Sequence, residues 1–290
     1  MAPKSESDLA AGLYIVATPI GNLGDISLRA LDTLRKVDVI ACEDTREAGK
    51  LTSIYEIEAK KIPYHDHNAA EMRPKIISML QDGRRVALIS DAGMPLVSDP
   101  GYKLVASCIA QGLHVTCVPG ATASLTALVL SGLPSDRFLF AGFLPPKSAA
   151  RRAALAEVKD VPATLLFYET APRLADSLAD MKEILNDRPA AVCRELTKKF
   201  EETRRATLSQ LAAHYEKSGA PKGEIVIVVA PPAADTVEQW TDEAVDRALA
   251  KMMDGEGMSV KDAAAFVAAQ SGLKKSGIYQ RALLLRNKRK

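Results

Sequence analysis

Short apolar runs alternate with segments of helical period along most of this chain, and that alternation limits the fold more than any other feature. LYIVAT (13–18) is a β-rich run ending at Pro19, and DISLRALDTLRKV (25–37) then places Ile26, Leu28, Leu31 and Leu34 at helical spacing. DVIACED (38–44), RRVALISD (84–91) and HVTCVPG (114–120) read as further strands, with helices predicted over 69–83, 99–112 and 121–132. Asn68 is expected to cap the helix over 69–83, with Glu71 completing a variant of the capping box. Asp99 is expected to cap the helix over 99–112, with Pro100 at its first position and Gly112 at its end. Strands apolar on both faces, separated by helices, imply a buried parallel sheet and an α/β fold.

LPSDR (133–137) is a turn-rich break, after which the pattern restarts. FLFAGFL, ATLLFYET (163–170), AAVCREL (190–196) and KGEIVIVVAPP (222–232) read as strands, with helices from Lys147 and Pro172. PPAADTVEQ (231–239) has the composition of a linker, and only helical signals follow Trp240. The expected organisation is an N-terminal α/β domain over 12–133, a second α/β domain over 134–232, and a small basic helical region over 240–290. A length of 290 residues agrees with roughly two large domains.

The net charge of +2 comes from 38 basic and 36 acidic residues, so any nucleic-acid signal must lie in how charge is distributed. Cys42, Cys108, Cys117 and Cys193 form no CxxC pair, which argues against a disulfide scaffold or zinc site and for a reducing, cytoplasmic setting. The start, MAPKSESDLAAG, lacks the apolar core of a signal peptide, and no run approaches the roughly 20 apolar residues that span a bilayer.

Two glycine-bearing loops follow predicted strands, TPIGNLGD (18–25) and SDAGMP (90–95). Neither matches GxxxxGKS/T or GxGxxG, and Asp25, Asp91 and Asp99 would repel a phosphate. Carboxylates beside exposed backbone N–H groups suit a ligand with ribose hydroxyls, an ammonium group and a cationic centre. S-adenosylmethionine combines these features. The competing reading is that these residues only cap helices and turn the chain.

TPIGNLGDIS, CEDTR, YHDHN, SDAGMPLVSDPGY, VPGA, GLPSDRF, GFLP, FYET, RELTKKFEE and KGEIVIVV occur in one order. Together they resemble the tetrapyrrole methylase family, and within it the members that methylate a cytidine ribose 2′-oxygen in small-subunit ribosomal RNA. The resemblance covers roughly residues 12 to 286. It implies two α/β domains with S-adenosylmethionine in the cleft between them, a homodimer, a small-subunit ribosomal RNA partner and no membrane association. It also implies a small helical C-terminal appendage, which KKSGIYQRAL (274–283) resembles. Carried over, it places Pro19, Asp91, Ala92, Gly93, Leu96, Thr122 and Ala123 at the donor, with Glu169, Leu196, Gly223 and Glu224 approaching from the second domain. Met94, and the Ala-Ala that follows YHDHN, depart from the family pattern.

CEDTR (42–46) ends a predicted strand, where open α/β sheets hold ligands, so Glu43, Asp44 and Arg46 are candidates for RNA contact or for the base that takes the hydroxyl proton. The alternative is an Asp–Arg pair that caps the next helix. His65 and His67 share one side of an extended segment, but no metal-ligand spacing follows them. Asn22, His67 and Asn68 are candidate substrate contacts, and no metal is expected. RELTKKFEETRR (194–205) could track phosphates with Arg194, Lys198, Lys199, Arg204 and Arg205, with Phe200 stacking on a base, or be a solvated face. The end, KKSGIYQRALLLRNKRK (274–290), concentrates seven basic residues and no acidic one. Lys274, Lys275 and Arg281 are the expected contacts there, while Ile278, Ala282 and Leu285 keep helical spacing for packing. The rival functions are a tetrapyrrole C-methyltransferase on the same fold and a non-catalytic RNA-binding assembly factor.

Overall fold

The computed structural model describes residues 9–233, 240–255 and 257–287, which form two compact units divided at Pro231/Pro232. The first unit holds two five-stranded sheets. The first sheet has β1 (Gly12–Val16), β2 (Val39–Cys42), β3 (Lys60–Pro63), β4 (Arg85–Ile89) and β5 (Val115–Val118), in the order β3-β2-β4-β1-β5. Every neighbouring pair is parallel. Parallel pairing requires crossovers, and the intervening helices bury one apolar cluster on each face. β1 leads across β4 to β2, whereas β4 leads across β1 to β5. The connections thus depart in opposite directions from adjacent strands, which opens a crevice at their C-terminal ends.

The second sheet has β6 (Phe138–Phe143), β7 (Thr164–Thr170), β8 (Pro189–Arg194), β9 (Glu202–Thr207) and β10 (Glu224–Val229), in the order β6-β7-β10-β8-β9. Only β6 and β7 are parallel; β10 runs antiparallel to β7 and β8, and β9 antiparallel to β8. The second sheet is therefore mixed, where the first is wholly parallel. β9 is a strand the charge run concealed: Glu202 and the exposed, adjacent Arg204 and Arg205 fit a sheet edge, not a buried interior. Helices Ser148–Val158, Leu174–Leu185 and Leu208–Ser218 cover one face. Helix Ala123–Ser131, which follows β5, packs Ala127 and Leu128 against Leu166, Ala191, Cys193, Val226 and Val228 on the other face.

Asn68 is the N-cap of helix Ala69–Gln81 as expected, but without a capping bond, whereas the Asp99 cap is corrected. Asn68 sends no side-chain bond into helix Ala69–Gln81; its Oδ1 accepts from the His65 N–H at 2.9 Å and its Nδ2 donates to the Pro63 carbonyl at 3.1 Å. Glu71 instead pairs with Lys75. The helix expected from Asp99 begins later, at Tyr102–Ala110, with Gly101 as its N-cap, so Asp99 and Pro100 lie in the loop. Gly101 has φ 137°, and a Cβ there would meet Leu88 at 2.8 Å and Leu96 at 3.0 Å, so glycine is required.

In the second unit, helices Asp242–Ala250, Val260–Ser271 and Lys275–Asn287 pack around Val245, Leu249, Ala263, Ala264, Val267, Ile278 and Ala282. Among the described residues, no helix is long and apolar enough to cross a membrane.

Candidate functional site

The loops leaving β1 and β4 are joined by backbone. The Thr18 N–H donates to the Gly93 carbonyl at 2.8 Å, and the Gly93 N–H returns to Thr18 at 3.1 Å. Ser90 Oγ donates to the Ala92 carbonyl at 3.2 Å. Between Gly93 (φ 79°) and Gly101, Leu96 and Ser98 are also left-handed, at φ 73° and 67°. Two such residues in one loop store backbone strain, which persists only where the surroundings enforce it. The β10 register delivers the opposing wall, because Glu224 pairs with Thr170, and Ile225 with both Glu169 and Arg194.

These loops enclose a cavity of about 450 Å³, within the size range of small-molecule sites. Ile20, Met94, Val97 and Phe143 supply an apolar wall, and Ser98, Asp99 and Tyr168 supply polar groups. Of the expected donor residues, Ala92, Gly93, Thr122, Ala123, Glu169, Leu196, Gly223 and Glu224 line this cavity. Pro19 and Asp91 line an adjoining cavity of about 250 Å³ that shares Ile20, Ala92 and Glu224 with the first. Leu96 lines neither; it packs into the core of the first sheet, and only its backbone serves the loop. Glu169 is at the wall, but its carboxylate is engaged internally by the Thr170 N–H at 2.7 Å, the Ser177 hydroxyl and Arg173.

Asp99 is the residue the capping assignment misplaced. It lines the cavity, and burial raises its carboxyl to about 6, helped by the Glu43 and Asp91 charges and opposed by a Ser90 hydrogen bond. Burial also raises Glu43, followed by Asp91 and Asp66, while His65 opposes the shift. Its neighbours in CEDTR are differently engaged. Asp44 caps helix Thr45–Ile54 through the Arg46 N–H at 2.8 Å and pairs with the Arg46 guanidinium at 2.9 Å. The Asp44 N–H in turn donates to Asp91 at 3.1 Å. For Asp44 and Arg46 the capping alternative is what the geometry shows.

Several of the expected substrate residues are engaged by partners of their own unit. Asn22 Oδ1 accepts from the Gly24 N–H at 3.0 Å, closing the turn Leu23–Asp25. His67 is exposed, with its ring 6.0 Å from that of His65. Arg194 pairs with Glu202 at 2.7 Å, as does Arg204 at 2.8 Å, and Arg205 donates to the Leu130 carbonyl. Lys198 lies between Glu195 and Glu224. The row of cations expected along 194–205 is therefore largely neutralised by the protein itself, leaving Lys199 and the exposed Phe200, 5.6 Å apart. In the second unit Lys274 and Lys275 are exposed, but Arg281 pairs with Asp242 and Asp246. Lys288, Arg289 and Lys290 lie outside the described residues. Tyr168 and Phe143 also line the cavity without having been named as donor residues; Tyr168 stands inside FYET and Phe143 inside GFLP, so the motifs carried the signal for both.

The tetrapyrrole (corrin/porphyrin) methylase family model matches residues 12–212, and the RsmI C-terminal HTH domain model matches residues 239–286. The chain is 51% identical to ribosomal RNA small subunit methyltransferase I of Mesorhizobium japonicum, covering 96% of this chain and 94% of that protein. It is 44% identical to the protein of that name from Escherichia coli O157:H7, covering 98% and 99%. Among solved structures, uroporphyrin-III C-methyltransferase from Thermus thermophilus superposes with a TM-score of 0.55 at 21% identity, over 75% of this chain and 94% of that one. Diphthine synthase superposes with a TM-score of 0.59 at 15% identity, over 75% and 89%.

Proposed function

Because this chain belongs to the tetrapyrrole methylases, in the ribosomal RNA small subunit methyltransferase I group, we propose that it methylates small-subunit ribosomal RNA at a cytidine ribose 2′-oxygen, with S-adenosylmethionine as donor. The observation that carries this reading is one half-buried carboxylate, Asp99, on an apolar cavity beside a strained glycine loop. A carboxylate held there at about 6 is relieved by a guest that offers hydroxyl or ammonium donors. The left-handed Gly93 permits close backbone approach, since a Cβ there would press on Ile20 at 3.1 Å.

The donor supplies a methyl group on a sulfonium sulfur. In the transfer, the ribose oxygen bonds to the methyl carbon as the carbon–sulfur bond breaks, leaving a neutral thioether and a proton to be removed. Alignment of acceptor and methyl accounts for much of the rate in such a reaction. Asp99 and the Gly93 loop hold the donor, while Leu196, Phe143 and Val97 exclude water. Of the CEDTR residues, Glu43 is the candidate proton acceptor, because Asp44 and Arg46 are engaged with each other and burial raises the Glu43 carboxyl.

The RNA partner is met by Lys199 and Phe200 in the first unit, and by Lys274, Lys275 and Arg286 at the last helix of the second. The protein acts as a homodimer in the cytoplasm. Leu125 and Val129 stand 43% and 78% exposed on helix Ala123–Ser131, opposite its packed face, and form the subunit contact. Light scattering that finds only a 31.1 kDa species rejects the dimer. The enzymatic reading is tested with methyl-labelled donor and unmodified small subunits. Label at a cytidine whose 3′ bond then resists alkali supports it, and label on a base or on no RNA refutes it.

A further inference from the structure

Lys198 looks from the sequence like a phosphate contact, but its ammonium lies 2.9 Å from Glu195 Oε1 and 3.0 Å from Glu224 Oε2. Its aliphatic stem covers Gly21 in the β1 loop, where a Cβ would meet Lys198 Cγ at 2.5 Å. Gly21 can be no larger residue, and its φ of 143° is one that side chains avoid. The segment around Lys198 is strained, with Glu195 and Thr197 left-handed at φ 50° and 65°. Between them Leu196, 6% exposed, forms part of the donor cavity. Glu195 is itself tied to β10, because its N–H donates to the Glu224 carbonyl at 3.1 Å and its carboxylate accepts from the Glu224 N–H at 3.3 Å. Gly223 lies against that carboxylate and has no room for a side chain. One side chain therefore spans the β1 loop, the Leu196 segment and the start of β10, three pieces that contribute to one cavity.

We propose that Lys198 is a positioning residue, which acts through Glu195 and Gly21 to hold the second-sheet wall of the donor cavity against the β1 loop, and not an RNA contact. This rests on the donor reading above. A doubly paired cation is a poor phosphate ligand, because it must leave two carboxylates that then stand uncompensated.

The test uses the full-length protein and titrates S-adenosylmethionine calorimetrically into wild type, Lys198→Met, Glu195→Gln and the double variant. Each single change is expected to weaken donor binding about tenfold, and the pair no further, because both break one linkage. Lys198→Arg, which keeps a cation between the carboxylates, is expected to recover affinity to within about threefold. RNA affinity across a salt series is expected to keep its slope in Lys198→Met. Unchanged donor affinity with a slope lowered by about 0.7–0.9 makes Lys198 a phosphate contact and overturns the proposal. A hundredfold loss in the double variant overturns it as well, since the residues would then act independently. If wild type binds no donor, the donor reading itself falls first, an outcome distinct from either.

Discussion

Replacing Asp99 with Asn is expected to make the free protein more stable and the donor complex weaker. The free carboxyl sits at about 6, some two units above an ordinary aspartate, so the folded state binds its proton more tightly than the unfolded state does. Stability from this group is therefore present at acid pH and declines as pH rises from about 4 to 6. At pH 7 the ionised carboxylate is a liability. Two units correspond to a ceiling of about 3 kcal/mol, and partial solvent access brings the expected gain in Asp99→Asn to about 1–2 kcal/mol. Donor binding has the opposite sign. Loss of a charged acceptor costs about 1.5–3 kcal/mol, or roughly 10- to 100-fold in Kd. Wild-type affinity is flat above pH 7 and falls by up to about tenfold per unit below 6, as protonation competes with the donor. Asp99→Asn loses most of that dependence, with a residue from the neighbouring Glu43, whose carboxyl is also raised. Calorimetry and thermal melts at pH 5, 6, 7 and 8 measure both signs together. A wild-type pH profile in the variant, or unchanged affinity at pH 7, refutes the assignment of Asp99 to the donor.

Three further outcomes follow from named contacts. Gly223→Ala places a Cβ on the Glu195 carboxylate at φ 103°, and is expected to cost about 1–3 kcal/mol in urea unfolding and to weaken donor binding. Arg151, 4% exposed, donates to Asp180 at 2.6 Å beneath helices Ser148–Val158 and Leu174–Leu185, so Arg151→Met strands a buried carboxylate and is expected to lose about 3–5 kcal/mol by the same measurement. Replacing Lys274 and Lys275 with Ala is expected to lower the salt slope of RNA binding by about 1.4–1.8 with no change in melting, whereas Arg281→Ala lowers the melting temperature and spares the slope. Removing residues 274–290 would be a poor probe of charge, because Ile278 and Ala282 belong to the buried cluster of that unit.

The alternation of strand and helix was legible because period and turn chemistry are local properties, and RRVALISD and KGEIVIVV each contain a strand of the structure while LYIVAT holds all of one but its first residue. The second sheet was legible only in part. Antiparallel β10 reads like any buried strand, and edge strand β9 reads like a charge run, because direction and edge position belong to partners far along the chain. At the site, the family resemblance implies that Ala92, Gly93, Thr122, Gly223 and Glu224 share the donor pocket, and all five line one cavity. Asp99 reads as a cap because Asp-Pro-Gly is a sound local helix start, whereas in the structure Gly101, close against Leu88 and Leu96, is the N-cap and Asp99 lines the cavity.

Charge shows the same division most plainly. Composition determined how many cations this chain carries and where they cluster along it, and helical spacing determined which residues of the last helix must pack. Tertiary structure decided which cations remain available. Arg194, Lys198 and Arg281 each find a carboxylate of their own unit, from residues 3 to 39 positions away. The physical reason is that a Coulomb interaction depends on distance in space and on local solvent, and neither is a property of the one-dimensional order of residues.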